Sequence, residues 1–91
     1  MQKTVFTYEV ELDKQADYIK ATKDVIKPFW ESHGCVSYSV WQSGQNTTHF
    51  RKEMLFEDGV SPKPEPKTAE IVALFGSYTT NAVRESFTQR A

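Results

Sequence analysis

The sequence contains a single cysteine, Cys35, and no long run of apolar residues. A lone cysteine cannot form a disulfide within the chain, and this usage predicts a buried thiol in a reducing, cytoplasmic compartment. No apolar stretch approaches the roughly 20 residues that a membrane-spanning helix requires, and the opening MQKTVFTYEV lacks the apolar segment of a signal peptide. We therefore expect no membrane partner.

The chain also lacks an excess of charge of either sign. Eleven basic and twelve acidic side chains leave a net charge of −1, which gives no electrostatic reason to expect nucleic acid as a partner. No HxxxH or CxxC spacing occurs, and no glycine-rich phosphate loop is present. We therefore expect neither a metal site nor a cofactor.

Aromatic and apolar residues, by contrast, are well represented. Aromatic residues make up 13% of the chain and hydrophobic residues 38%, which is the composition of a folded protein rather than of a disordered one. The length of 91 residues predicts one domain, residues 1–91, with a modest core.

The first part of the chain changes from a strand period to a helical one. Residues 3–12 alternate between apolar and polar side chains, which predicts a half-buried strand. From Lys14 the apolar residues recur with helical spacing, and Asp13 is suited to cap that helix. Pro28 predicts an interruption of the last turns because proline has no backbone donor, and Gly34 predicts the end of the helix.

The middle of the chain predicts an antiparallel hairpin. Residues 35–42 and 49–56 both alternate, and the turn-forming SGQNTT separates them. The second strand carries Phe50, Lys52, Met54 and Phe56 on one face and His49, Arg51, Glu53 and Leu55 on the other.

The last third of the chain contains a connector, a helix and an ambiguous tail. The prolines of DGVSPKPEPK favour a stiff, extended connector, and TAEIVALFGSY predicts a helix capped by Thr68. In the tail, residues 79–90, Val83 and Phe87 fit helical spacing, but they also alternate with Glu85. We favour a helix for this tail.

This order of elements predicts an α+β fold. Strand, helix, strand, strand and helix describe a ferredoxin-like βαββα sandwich with an antiparallel sheet and helices on one sheet face. The other face carries large side chains and has nothing in the chain to cover it. We therefore expect a homodimer in which a second copy covers that face.

Three segments resemble a known family. ESHGCVSYSVWQS, THFRKEMLFED and AEIVALFGSY are similar to the antibiotic-biosynthesis-monooxygenase-like branch of the dimeric α+β barrel superfamily, and the resemblance extends over residues 3–87. It implies that two subunits pair their sheets into a barrel and that each has a pocket between sheet and helices. It also implies, as in some members, oxidation of polyphenolic or quinol substrates without metal or organic cofactor.

The same resemblance argues against haem degradation. Haem-degrading members use an asparagine early on the first strand and a tryptophan–histidine pair around the second helix. Here the first strand offers Val5 and Thr7, and residues 69–87 contain neither tryptophan nor histidine.

Large aromatic residues are the first site candidates. Those near the helix end and the hairpin are Phe29, Trp30, Tyr38, Trp41, Phe50 and Phe56. They have two interpretations: a hydrophobic core with a dimer interface, or the wall of an apolar pocket for a flat organic ligand. Under the second interpretation, Trp41, Tyr38 and Trp30 bind a small aromatic substrate.

The catalytic candidates are His49 and Arg51 at the start of the second hairpin strand. His49 can act as a base near neutral pH, and Arg51 is a permanent cation that can hold a substrate anion. At positions i and i+2 of a strand they project from one face, about 7 Å apart, and we expect Trp41 to share that side. A solvent face or a subunit contact is the alternative interpretation of these polar residues, while His33 and Cys35 are interpreted as structural.

Two functions follow from these candidates. The first is a small cofactor-independent monooxygenase acting on an aromatic or quinol-like compound. The second is a non-catalytic ligand-binding or structural homodimer of the same fold.

Overall fold

The computed structural model describes residues 1–60 and 65–91, which form a four-stranded antiparallel sheet with helices on one face. A 3-10 turn (Leu12–Lys14) precedes the first helix, and a π-helical turn (Thr22–Ile26) links the first two helices. The strands and helices, in chain order, are β1 (Gln2–Glu9), α1 (Gln15–Ala21), α2 (Lys27–Glu31), β2 (Ser37–Gln42), β3 (His49–Phe56), α3 (Pro66–Tyr78) and β4 (Thr80–Thr88).

The strand order is β2-β3-β1-β4, with β1 paired antiparallel to both β3 and β4. The hairpin of β2 and β3 forms as the alternating pattern predicts, and its register pairs Trp41 with Arg51. The α+β ferredoxin-like prediction is therefore confirmed, with one more strand than expected.

The predicted helix in the tail is wrong, because residues 80–88 form strand β4. The positions of Val83 and Phe87 fit both helical spacing and strand alternation. Pairing with the edge of β1 favours the strand, because an unpaired edge leaves backbone donors and acceptors without partners. Near the start of β4 the register shifts, and Asn81 takes a φ of 55°, a left-handed conformation that asparagine tolerates better than most residues.

Two predicted helix caps are also wrong. Asp13 lies within the 3-10 turn rather than before α1, and α3 begins at Pro66, two residues ahead of Thr68. Proline suits the first helical turn because its missing donor is not needed there. The connector prediction covers Pro62 and Pro64, which lie outside the described residues, while Pro66 belongs to α3 rather than to an extended segment.

Pro28 and Gly34 mark an interruption and the end of this helical segment. The regular α-helix gives way to a π-helical turn that ends at Ile26, and Pro28 lies directly after it in the first turn of α2. Gly34 has a φ of 98°, and a side chain there would come within 3.2 Å of the Val60 side chain. The chain leaves α2 through this glycine and enters β2.

The core fills the space between the helices and the sheet. The fully buried large side chains are Tyr8, Val10, Tyr18, Ile26, Tyr38, Phe50 and Ile71. On the opposite sheet face, the described residues leave three large apolar side chains exposed: Trp41, Val83 and Phe87 are 61%, 64% and 45% exposed. Among the described residues, no helix is both long enough and apolar enough to cross a membrane.

Candidate functional site

A cavity of about 330 Å³ lies between the helix-covered face of the sheet and α3. Strands β1, β3 and β4 supply its floor, and α3 and the end of α2 supply its walls. Pockets for small organic ligands begin at about 300 Å³, so a compound of one or two rings fits this volume. Its large apolar lining residues are Phe6, Trp30, Met54, Phe56, Ile71 and Phe75.

The ammonium group of Lys52 lies within this apolar lining. Lys52 is only 4% exposed, and its Nζ atom lies 3.6 Å from the centre of the Phe75 ring and 4.4 Å from that of Phe6. No residue in 1–60 or 65–91 forms an ion pair with it. Burial lowers the pKa of Lys52 to about 7, because water no longer solvates the charged form.

This pKa gives Lys52 two accessible protonation states near neutral pH. The electron-rich faces of the two phenylalanine rings stabilise the ammonium form, while the neutral amine is a base. Lysine is rarely buried without a partner, and a strongly shifted pKa inside a cavity marks a candidate functional residue.

The sequence carried a signal for Lys52 that the site prediction did not use. The alternation in β3 predicts that Lys52 shares a face with Phe50, Met54 and Phe56, and all four side chains are buried. A lysine in the middle of an apolar strand face is itself unusual. His49 and Arg51, which were predicted instead, lie on the other face of the same strand.

Arg84, from β4, also lines the cavity, whereas no carboxylate among the described residues does. Lys3 borders the cavity as well, but its ammonium group pairs with the Glu53 carboxylate at 3.0 Å. Glu53 belongs to the other face of the sheet by strand alternation. The cavity is therefore cationic, with Lys52 and Arg84 as the groups that no described carboxylate neutralises.

Of the residues predicted to bind substrate, Trp30 and Tyr38 lie on the helix-covered side. Trp30 lines the cavity. Tyr38 is buried beside it, with its ring centre 5.5 Å from the Lys52 Nζ atom and its hydroxyl without a hydrogen-bond partner among the described residues. Their binding roles stay predictions.

His49, Arg51 and Trp41 lie on the opposite face of the sheet. Trp41 pairs with Arg51 in the register, so the expected sharing of one side by these two residues is confirmed. The expectation that His49, Arg51 and Trp41 face the pocket between helices and sheet is wrong, because the alternate residues of β3 occupy that face. The catalytic roles of His49 and Arg51 and the binding role of Trp41 stay predictions.

Arg51 lines a separate groove of about 500 Å³ on that outer face, together with Leu55 and Phe87. Its Nε atom donates to the Glu53 carboxylate at 2.8 Å. Arg51 therefore shares the Glu53 carboxylate with Lys3, whereas Lys52 has no ion-pair partner among the described residues.

Three buried tyrosines pack next to the cavity walls. The hydroxyl groups of Tyr8 and Tyr18 hydrogen-bond to each other, and both rings pack edge-on against Phe75. Burial raises the pKa of Tyr8, Tyr18 and Tyr38, because a phenolate would lose its solvation. These phenols stay protonated at neutral pH and do not serve as bases there.

The remaining candidates have structural roles. His33 places Nδ1 at 2.7 Å from the Phe29 carbonyl oxygen and Nε2 at 3.0 Å from the Glu65 carboxylate, so it ties the end of α2 to the start of α3. The buried Cys35 thiol donates to the Ser37 carbonyl oxygen at 3.2 Å, and burial raises its pKa.

Solved structures of low sequence identity share this fold. One described as an antibiotic biosynthesis monooxygenase aligns with a TM-score of 0.73 and 9% identity over 100% of both chains. SnoaB, a cofactor-independent oxygenase from Streptomyces nogalater, solved as a mutant, aligns with a TM-score of 0.78 and 12% identity over 99% of this chain and 93% of its own. A conserved protein from Methanosarcina mazei aligns with a TM-score of 0.77 and 16% identity over 98% and 92% of the two chains.

Neither a protein-family profile nor a curated protein matches the sequence. The likeness is therefore one of structure, and it extends over the full length of the chain. The chain has the ferredoxin-like α+β fold of antibiotic biosynthesis monooxygenase structures.

Proposed function

We propose that this protein is a cofactor-independent monooxygenase that oxidises an aromatic or quinol-like compound in the helix-side cavity. The observation that carries the proposal is the buried Lys52, whose pKa burial lowers to about 7, within an aromatic cavity of about 330 Å³. A basic amine in a largely aromatic pocket is suited to remove a proton from a phenolic hydroxyl.

Ion pairing in the cavity offsets part of the cost of that proton transfer. A phenol titrates near 10 in water, so moving its proton to an amine of pKa about 7 costs about 4 kcal/mol, and burial of the phenolate adds to this cost. The phenolate and the ammonium form side by side, and their attraction at about 4 Å is worth roughly 4 kcal/mol at an effective dielectric constant near 20. Lys52 therefore serves first as base and then as the cation that holds the anion.

The substrate itself supplies the electrons. In the reaction of a hydroquinone, the phenolate passes electrons to dioxygen, and a new carbon–oxygen bond forms at an unsubstituted ring carbon. The oxygen–oxygen bond breaks, and the second oxygen atom leaves as water with the two hydrogen atoms that the ring compound loses. The products are a hydroxyquinone and water, so no external reductant is consumed.

Dimerisation through the outer sheet face belongs to this proposal. That face exposes Trp41, Val83 and Phe87, and a second copy of the chain presents the same apolar surface to cover them. His49 and Arg51 would then lie at the subunit contact. The buried, unpaired thiol of Cys35 supports a cytoplasmic location for the dimer.

Oxygen consumption tests the proposal directly. The protein is freed of metal with a chelator and mixed with a panel of hydroquinones, and dioxygen uptake is measured against the buffer rate. Uptake above that rate with at least one compound supports an oxygenase. Saturable ligand binding without uptake contradicts it and favours the non-catalytic alternative.

A further inference from the structure

We infer that the substrate carries a carboxylate, which Arg84 binds at the end of the cavity opposite Lys52. The inference rests on the proposed function and narrows its substrate to hydroxylated aromatic acids. It comes from the arrangement of charge in the cavity: two cations without a described carboxylate partner, and an aromatic ring between them.

Lys52, Phe6 and Arg84 form a row across three neighbouring strands. Phe6 on β1 is the register partner of Lys52 on β3 and of Arg84 on β4. Register partners project from the same sheet face, so all three side chains point to the helix-covered side. Neighbouring strands lie about 4.8 Å apart, which separates the backbones of Lys52 and Arg84 by roughly 10 Å.

The two cations differ in what they can do. Lys52 titrates near neutral pH and can accept a proton, whereas arginine stays charged at any physiological pH. A substrate hydroxyl therefore belongs at Lys52. The planar guanidinium of Arg84 presents paired donors that match the two oxygens of a carboxylate.

Ligand entry changes the surroundings of Arg84. Its side chain is exposed, and no described residue forms an ion pair with it. An amide covering the guanidinium would remove water and return one hydrogen bond to its neutral carbonyl oxygen, while a carboxylate returns stronger, paired hydrogen bonds between opposite charges. The cavity therefore discriminates in favour of an acid over the matching amide.

The matched probes are 2,5-dihydroxyphenylacetate and its neutral amide, titrated without oxygen so that neither is oxidised. Binding is measured by calorimetry on the wild type, Arg84→Gln, Arg84→Lys and the control Arg90→Gln, which removes an exposed guanidinium near the end of the chain. We expect the acid to bind the wild type at least about tenfold more tightly than the amide, as loss of one charged hydrogen bond would give.

Arg84→Gln should remove that preference by weakening binding of the acid far more than binding of the amide, Arg84→Lys should keep part of it, and Arg90→Gln should keep it in full. Equal binding of acid and amide to the wild type would overturn the inference, as would an unchanged preference in Arg84→Gln.

Oxygen uptake, measured separately, distinguishes the two proposals. Turnover of neutral hydroquinone without any preference for the acid keeps the oxygenase and removes the carboxylate site. An Arg84-dependent preference without turnover keeps the carboxylate site and removes the oxygenase. Thermal unfolding of each variant shows whether the sheet remains intact.

Discussion

The ammonium group of Lys52 lies 3.6 Å from the centre of the Phe75 ring, so a cation on the central part of the sheet packs against the face of an aromatic ring on α3. This contact partly offsets the loss of water around the charge. It does not restore the ordinary pKa, which burial lowers to about 7. We therefore expect Lys52 to exchange a proton with a bound substrate near neutral pH.

Lys52→Met should abolish most of the oxygenase activity. Methionine keeps the apolar length of the side chain but cannot accept a proton, and a general base contributes on the order of a hundredfold or more to rate. The exposed Lys20→Met is the matched control, and initial rates of dioxygen uptake are the measurement. The variant His49→Ala tests which face of the sheet carries the chemistry. If His49→Ala loses activity and Lys52→Met retains it, the reaction takes place on the outer face.

The rate should depend on pH through the same group. Because only the neutral amine accepts the proton, kcat/KM, measured at substrate concentrations well below KM, should rise with an inflection near the pKa of about 7 and then level off. A pH profile of oxygen uptake, corrected for spontaneous oxidation of the substrate, provides the test. A rate that falls across this range would exclude Lys52 as the base.

Protein stability should rise with pH for the same reason. The pKa of Lys52 is about 7 in the folded protein and 10.5 in the unfolded chain, so between these values the unfolded chain binds more protons and higher pH favours folding. The free energy of unfolding should rise by about 2 kcal/mol from pH 7 to pH 9. Urea unfolding at both pH values measures it, and the rise should be absent in Lys52→Met and present in Lys20→Met.

Tyr38→Phe should leave the protein as stable as the wild type or slightly more stable. Its buried hydroxyl has no partner among the described residues, so removing it ends a desolvation cost without breaking a described hydrogen bond. Tyr8→Phe is the matched comparison, because it leaves the Tyr18 hydroxyl without its partner and should cost about 1–2 kcal/mol. Equal destabilisation of both variants in urea unfolding would show that Tyr38 has a partner in solution.

Trp41→Lys should dissociate the proposed dimer. A lysine at this exposed position of the outer face would place two charges in an apolar contact between copies. Light scattering should give a mass near twice 10.5 kDa for the wild type and near that of one chain for the variant. Val25→Lys changes an exposed apolar residue away from the sheet and should stay dimeric, whereas a monomeric wild type would contradict the proposal.

Sequence patterns predicted the parts of the fold that depend on neighbouring residues. The hairpin of β2 and β3 follows from alternation on both sides of a short turn, and that alternation also placed Trp41 beside Arg51. The helix predicted for the tail was wrong because Val83 and Phe87 fit both the helical and the strand period. Only pairing with the distant β1 selects a strand. Local propensity contains no information about such a partner.

The candidate site was harder to predict for a related reason. Alternation separates Lys52 from Arg51 and puts them on opposite faces, but it does not say which face the helices cover. Packing of Phe75 on α3 against Phe6 on β1 settles that question. The sequence therefore contained the two sets of residues without showing which set encloses a cavity.

Pairing of β4 with β1 has a consequence for synthesis of the protein. Phe6 and Arg84, which face each other in the register, are separated by nearly the whole chain, and contacts so distant in sequence form slowly. The ribosome must release the chain as far as β4 before the cavity floor can close. Until then the nascent chain exposes an unpaired β1 edge, which makes this interval the one in which aggregation competes with folding.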